Sequence, residues 1–256
     1  MIDQNSEHQS DQHPAENTAA DLGLVEAPWS VQSALGLAVV AFVLALLAGA
    51  VVARMGAAGG NPTLQALGAG GVFCGLYVAL LGIVWISSAT LGVRFVDAVG
   101  LRRAGDWRWY AAALGAATAG WLFTAAFTAA LSALGVKIPR DDLTAFRLLP
   151  SGALGVAIAV LLLVVVAPIA EEVVYRGVLL SALSDRWGTV AGVAGSAVVF
   201  SAVHLSLVGF VPLLVMGALF GWLFVKSRSL PVAILAHATY NALGVIALLA
   251  TRPGLL

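Results

Sequence analysis

Glu171, Glu172 and Arg176 stand inside an apolar run of the sequence, and their types and spacing could do chemistry. An ionised group near a bilayer centre costs about 2.5–3.5 kcal/mol on insertion scales, so three together need a reason to be there. Pairing lowers that cost without removing it. Glu172 and Arg176 are four residues apart and share a helix face, whereas Glu171 and Tyr175 share a neighbouring one. Glu172 is therefore predicted to pair with Arg176, leaving Glu171 free to react. Further along come Phe200 with His204, and His237 with Asn241, each pair again four residues apart. One histidine in a membrane helix is ordinarily explained by a helix–helix hydrogen bond worth about 0.6 kcal/mol. Glu171, His204, His237 and Asn241 falling together in one block of apolar helices point instead to water activation. A carboxylate withdrawn from water is a better proton acceptor near neutral pH, and a histidine can share the water with it. A second histidine and an amide can donate to the oxyanion of a tetrahedral intermediate. Such a set can hydrolyse an amide without a serine or cysteine nucleophile.

The elements that must position these groups are membrane spans. The chain is 61% hydrophobic and only 10% charged, where a soluble domain averages about 25%. The predicted fold is all-α, a polytopic transmembrane helical bundle of about seven spans, with the active site buried among the last four. Apolar runs of about twenty residues place the spans at 31–53, 64–89, 110–134, 151–183, 189–206, 209–225 and 230–250. The 206–212 connection is nearly all apolar and reads either as a boundary between crossings or as a re-entrant turn. Pro168, three residues before Glu171, is expected to kink its helix and free a backbone carbonyl near the site. Gly177 is expected to let a neighbouring helix approach. The glycine pairs Gly71 and Gly75, Gly188 and Gly192, and Gly217 and Gly221 are read as internal packing positions.

The remainder of the sequence carries less chemistry. Residues 1–29 are acidic, lack lysine and arginine, and are expected to be a disordered tail. They show no basic stretch and early apolar run of a secretion signal, and His8 and His13 within them are given no role. Cys74 is the single cysteine and is read as a packing residue. A net charge of zero gives no sign of a nucleic-acid partner. The lysine and arginine balance between connections puts the N-terminus on the cytoplasmic side. Three regions follow: the tail at 1–29, an N-terminal transmembrane region at 30–150, and a catalytic bundle at 151–252.

Glu-Glu-x-x-x-Arg, Phe-x-x-x-His and His-x-x-x-Asn, in this order on separate spans, resemble the CPBP family of intramembrane endopeptidases. That family includes the type II CAAX prenyl endopeptidases and bacterial Abi-domain proteins linked to bacteriocin processing or self-immunity. The charged stretch Gly100, Leu101, Arg102, Arg103 is also similar to bacterial members. The resemblance implies that Glu171 activates water with His204 assisting, that His237 and Asn241 hold the oxyanion, and that Glu172 and Arg176 brace the site, with Phe200 in support. It implies a peptide or membrane-tethered protein as substrate, in the lipid bilayer of a bacterial plasma membrane. The family has been labelled a metallopeptidase, and Glu171, His204 and His237 would be the ligands of a zinc ion. Direct glutamate–histidine activation without a required cofactor is preferred, because His-Glu-x-x-His is absent and asparagine is an unusual zinc ligand. The competing readings are a non-catalytic membrane adaptor or immunity protein of the same fold, and a proton-coupled transporter using Glu171, Arg176, His204 and His237 as a relay.

Overall fold

The computed structural model describes residues 28–138 and 152–251. The acidic tail up to residue 27, with His8 and His13, and most of the charged stretch between the third and fourth spans lie outside the described residues. Among the described residues all regular structure is helical. Eight helices follow in order: α1 (Val31–Ala57), α2 (Pro62–Thr90), the short α3 (Phe95–Ala98), α4 (Arg108–Ala133), α5 (Ala153–Trp187), α6 (Thr189–Val203), α7 (Phe210–Ser227) and α8 (Leu230–Thr251). Six of them are long and apolar enough to cross a membrane. This is an integral membrane protein. Its outward side chains suit lipid: Val78 and Trp85 on α2 are 68% and 60% exposed.

The starts of these helices follow local chemistry. Ser30 Oγ accepts from the Ser33 amide at the head of α1, and Asn61 Oδ1 accepts from Thr63 and Leu64 at the head of α2, where Pro62 fills the first position. Arg228, in the left-handed conformation, ends α7 and turns the chain into α8.

The expected span at 189–206 is shorter than its apolar run. Helix α6 has 15 residues, about 22 Å of rise, against a hydrocarbon core of about 30 Å. It forms an antiparallel hairpin with α7: Gly217 sits against Ala197 and Phe200, and Gly221 against Val193. The tip of the hairpin, 204–209, is a tight turn with Leu205 and Leu207 exposed. Ser201 Oγ closes it by donating to the Phe210 carbonyl at 2.6 Å.

The far end of the hairpin is anchored on the stretch after α3. Leu230 N donates to Gly100 O at 2.9 Å, Arg102 Nε to Arg228 O at 2.8 Å, and Ser229 Oγ to Arg102 O at 2.6 Å. The α2–α4 and α7–α8 connections therefore share one end of the bundle. Gly177 faces Val99 in this stretch, so the neighbour it admits is a connecting segment and not a helix.

The glycine pairs divide by position. Gly217 and Gly221 are packing positions, as is Gly192 against Ser184 and Leu180. Gly188 instead makes a turn with φ +83 between α5 and α6, and nothing lies within 4 Å of where a Cβ on Gly71 or Gly75 would stand. Spacing alone did not distinguish a packed pair from one facing outward.

Candidate active site

Helix α5 carries Glu171, Glu172 and Arg176 and is not a regular α-helix. Residues 162–166 and 173–180 are π-helical, on either side of an α-helical turn at 167–172. Pro168 accounts for the first of these segments: its ring crowds the preceding turn and it has no N–H to donate. The Ala167 N–H goes to Leu162 O. Leu163 O is then left without a donor at either the fourth or the fifth following residue. Asn241 on α8 fills the vacancy, its Nδ2 donating to Leu163 O at 2.8 Å. The carbonyl freed by Pro168 thus has a partner among the residues singled out from the sequence. In the second π segment, Ser196 and Ser181 donate to the carbonyls of Tyr175 and Arg176.

The pairing expected from four-residue spacing is the pairing found. Arg176 Nη1 lies 3.1 Å from Glu172 Oε1, with both side chains fully buried. The guanidinium sits 4.6 Å from the centre of the Phe200 ring and 5.5 Å from that of Phe220, and its Nη2 donates to Gly217 O. Aromatic faces are favourable neighbours for a desolvated cation. Phe200 is therefore one wall of the arginine site. Phe220, its other aromatic neighbour, was not among the sequence candidates.

Glu172 has a second partner that spacing did not reveal. His237 Nδ1 donates to Glu172 Oε1 at 2.8 Å, and the imidazole stacks on Phe220 with ring centres 5.1 Å apart. With Nδ1 committed, Nε2 is the nitrogen left for chemistry, and it lies 3.9 Å from Glu171 Oε2.

Glu171 points elsewhere, onto the wall of a cavity of about 210 Å³, and 22% of its side chain is accessible. His204 lines the same cavity. It sits at the end of α6, where its Nδ1 donates to the Phe200 carbonyl at 2.6 Å. A carbonyl only accepts, so neutral His204 keeps its Nε2 lone pair for the cavity. The four candidates accordingly come from three helices: Glu171 and His204 line one cavity, His237 Nε2 lies 3.9 Å from Glu171, and Asn241 is bound to the Leu163 carbonyl.

The opposite wall of the cavity comes from outside the last four spans. Ala41, Phe42 and Ala45 of α1 and Leu76, Tyr77 and Leu80 of α2 face Glu171 and His204. Tyr77 lines the cavity together with Glu171. Sequence reading missed it, although a phenol within an apolar span is the same kind of signal that picked out the histidines.

No three His, Cys, Asp or Glu side chains among the described residues are grouped so as to hold a metal ion. As arranged, Glu171, His204 and His237 do not fit a zinc site.

The fold and site define an integral membrane protein with a carboxylate–imidazole centre set among its helices. Residues 153–243 match the family model described as Rce1-like: type II CAAX prenyl endopeptidase Rce1-like. The matched segment runs from α5 into α8, contains all three motifs, and has the resemblance to CAAX-type proteases read from them. Among curated proteins and among solved structures, nothing matches.

Proposed function

We propose that this protein is an intramembrane endopeptidase that cleaves a peptide bond in a membrane-associated substrate with water activated by Glu171 and His204. One observation carries the reading: of two adjacent glutamates, Glu172 is buried on Arg176 and His237, while Glu171 lies on a cavity wall with His204. A purely structural acidic pair gains nothing from that division.

In this mechanism Glu171 accepts a proton from water while His204 Nε2 holds the other water hydrogen, so that the oxygen attacks the scissile carbonyl. The new C–O bond gives a tetrahedral oxyanion. Protonated His237, backed by Glu172, donates to it from Nε2. Glu171 then returns its proton to the leaving nitrogen as the C–N bond breaks, which yields a carboxylic acid and an amine. The preference for direct activation over a metal rests on the donor geometry above. The bilayer is the plasma membrane, with the N-terminus on the cytoplasmic side, in keeping with the basic residues of the α2–α4 and α7–α8 connections.

The test uses purified protein in proteoliposomes and a quenched fluorescent peptide ending in Cys-aliphatic-aliphatic-Met, with and without an S-farnesyl group. Cleavage of either peptide, abolished in Glu171→Gln and His204→Ala, supports the reading, and the comparison shows whether the prenyl group is needed. A Glu171→Gln trap expressed in the native host captures uncut substrate in parallel. Cleavage unchanged in both variants overturns the proposal, as does failure to cleave either peptide together with an empty trap.

A further inference from the structure

The turn between α6 and α7 satisfies its own backbone. Residues 200–210 include three polar side chains, Ser201, His204 and Ser206, and each is engaged with the backbone of that same segment. Ser201 Oγ and His204 Nδ1 donate to the carbonyls of Phe210 and Phe200, and Ser206 Oγ accepts from the Gly209 amide at 2.9 Å. A turn in water has no need of this, because water pairs with its backbone. In hydrocarbon every N–H and C=O must find its partner within the protein. The side chains left outside are apolar, with Leu205 and Leu207 70% and 96% exposed. Between Trp187 and Val225 the sequence has no charged residue.

The depth of the turn follows from its neighbours. His204 lines one cavity with Ala45 of α1, Tyr77 of α2 and Glu171 of α5. Beyond that level, away from the end anchored on Gly100, α5 runs from Val166 back to Ala153 with no polar side chain, about 20 Å of helix. On the same side α1 continues about 14 Å past Ala45 before its first charge, Arg54, and α2 about 18 Å past Tyr77 before the amide of Gln65. Gly70 of α2 packs on Ile158 of α5 there, which confirms that these stretches lie side by side. Three apolar helices therefore carry the hydrocarbon layer well past the point where the hairpin turns back.

We propose that α6 and α7 form a re-entrant hairpin whose tip, Leu205 and Leu207, rests among lipid acyl chains, with His204 held at the same depth. A tip that reached the far aqueous face would present polar side chains outward, and these are turned inward. A tip covered by another helix of this chain would not leave Leu207 almost wholly exposed. Crossing and re-entrant hairpins leave α5 and α8 running in the same directions, so labelling of the other connections does not separate them. The depth of the tip does.

The experiment uses the full chain with Cys74→Ala, carrying Leu207→Cys, Val211→Cys or Ala58→Cys labelled with an environment-sensitive fluorophore. Val211 is a second exposed position beside the tip, and Ala58 lies in the α1–α2 connection. Each is reconstituted in phosphatidylcholine vesicles with iodide on both faces, or with phosphatidylcholine spin-labelled in mid-chain or at the headgroup. The Leu207 and Val211 labels are expected to lose emission to the mid-chain spin label and to keep it in iodide, with Ala58 the reverse. Iodide quenching at Leu207 equal to that at Ala58 overturns the inference, because the tip then reaches water and both helices cross. A Leu207 label shielded from every quencher overturns it as well, because protein and not lipid then covers the tip. Should Leu207→Cys not fold, Val211→Cys is read against Ala58→Cys by the same outcomes.

Discussion

Glu172 Oε1 accepts a hydrogen bond from His237 Nδ1 at 2.8 Å, joining residues 65 positions apart. The same oxygen lies 3.1 Å from Arg176 Nη1. Glu172 therefore does two jobs: it neutralises a buried guanidinium and sets which imidazole nitrogen of His237 faces Glu171. Carboxylates that orient a functional imidazole in this way recur across enzymes, since the hydrogen bond at one nitrogen decides the state of the other.

Glu171→Gln and Glu172→Gln should consequently fail in different ways. Glu171→Gln should abolish peptide cleavage with Tm in detergent unchanged. Glu172→Gln should lower cleavage by about two orders of magnitude and also destabilise the protein, because Arg176 is left buried without its counter-charge, a loss of about 3–5 kcal/mol. Matching activity and Tm profiles for the two variants would contradict this division.

Asn241 and Pro168 should show coupling. In Asn241→Leu the Leu163 carbonyl loses its donor, a cost of about 1–3 kcal/mol for a buried group. Pro168→Ala restores an N–H one π turn after Leu163, so Asn241→Leu should cost less in that background. A double-mutant cycle on Tm measures the coupling, and strict additivity would exclude the shared carbonyl.

Glycine substitutions should separate by environment. A Cβ at Gly217 would stand 3.0 Å from the Ala197 Cα, so Gly217→Leu should push α6 away from α7, removing activity and lowering Tm. Nothing lies within 4 Å of where a Cβ on Gly71 of α2 would stand, so Gly71→Leu should be neutral in both measurements. Loss of folding in Gly71→Leu would show that this face is covered by a partner.

Chelation should leave catalysis intact. Incubation with 1,10-phenanthroline or EDTA, followed by the peptide assay, is expected to give the untreated rate, because no three His, Cys, Asp or Glu side chains among the described residues are grouped so as to hold a metal ion. Inactivation reversed by added zinc would restore the metal reading.

Much of the site was legible in the sequence because α-helical periodicity is local. Positions i and i+4 share a face whatever the helix packs against, which is why Glu172 could be matched to Arg176 and separated from Glu171. The apolar runs likewise marked the spans, since a bilayer core demands their length and composition. Even Pro168 announced a freed carbonyl, because an absent N–H is a covalent fact.

Relations between helices were decided by the tertiary structure alone. Neither the rotation of α2 about its axis nor its neighbour can be read from its residues, as its apolar faces look alike whether they meet lipid or protein. Tyr77 and the Gly71 and Gly75 pair lie on that one helix, yet Tyr77 lines the cavity with Glu171 while nothing lies within 4 Å of where a Cβ on either glycine would stand. The same reason hid Phe220 beneath His237, the second partner of Glu172, and the bond from Asn241 to Leu163. Chemical type and helical spacing named the candidate groups, and packing, which sets the azimuth of each helix, chose their partners.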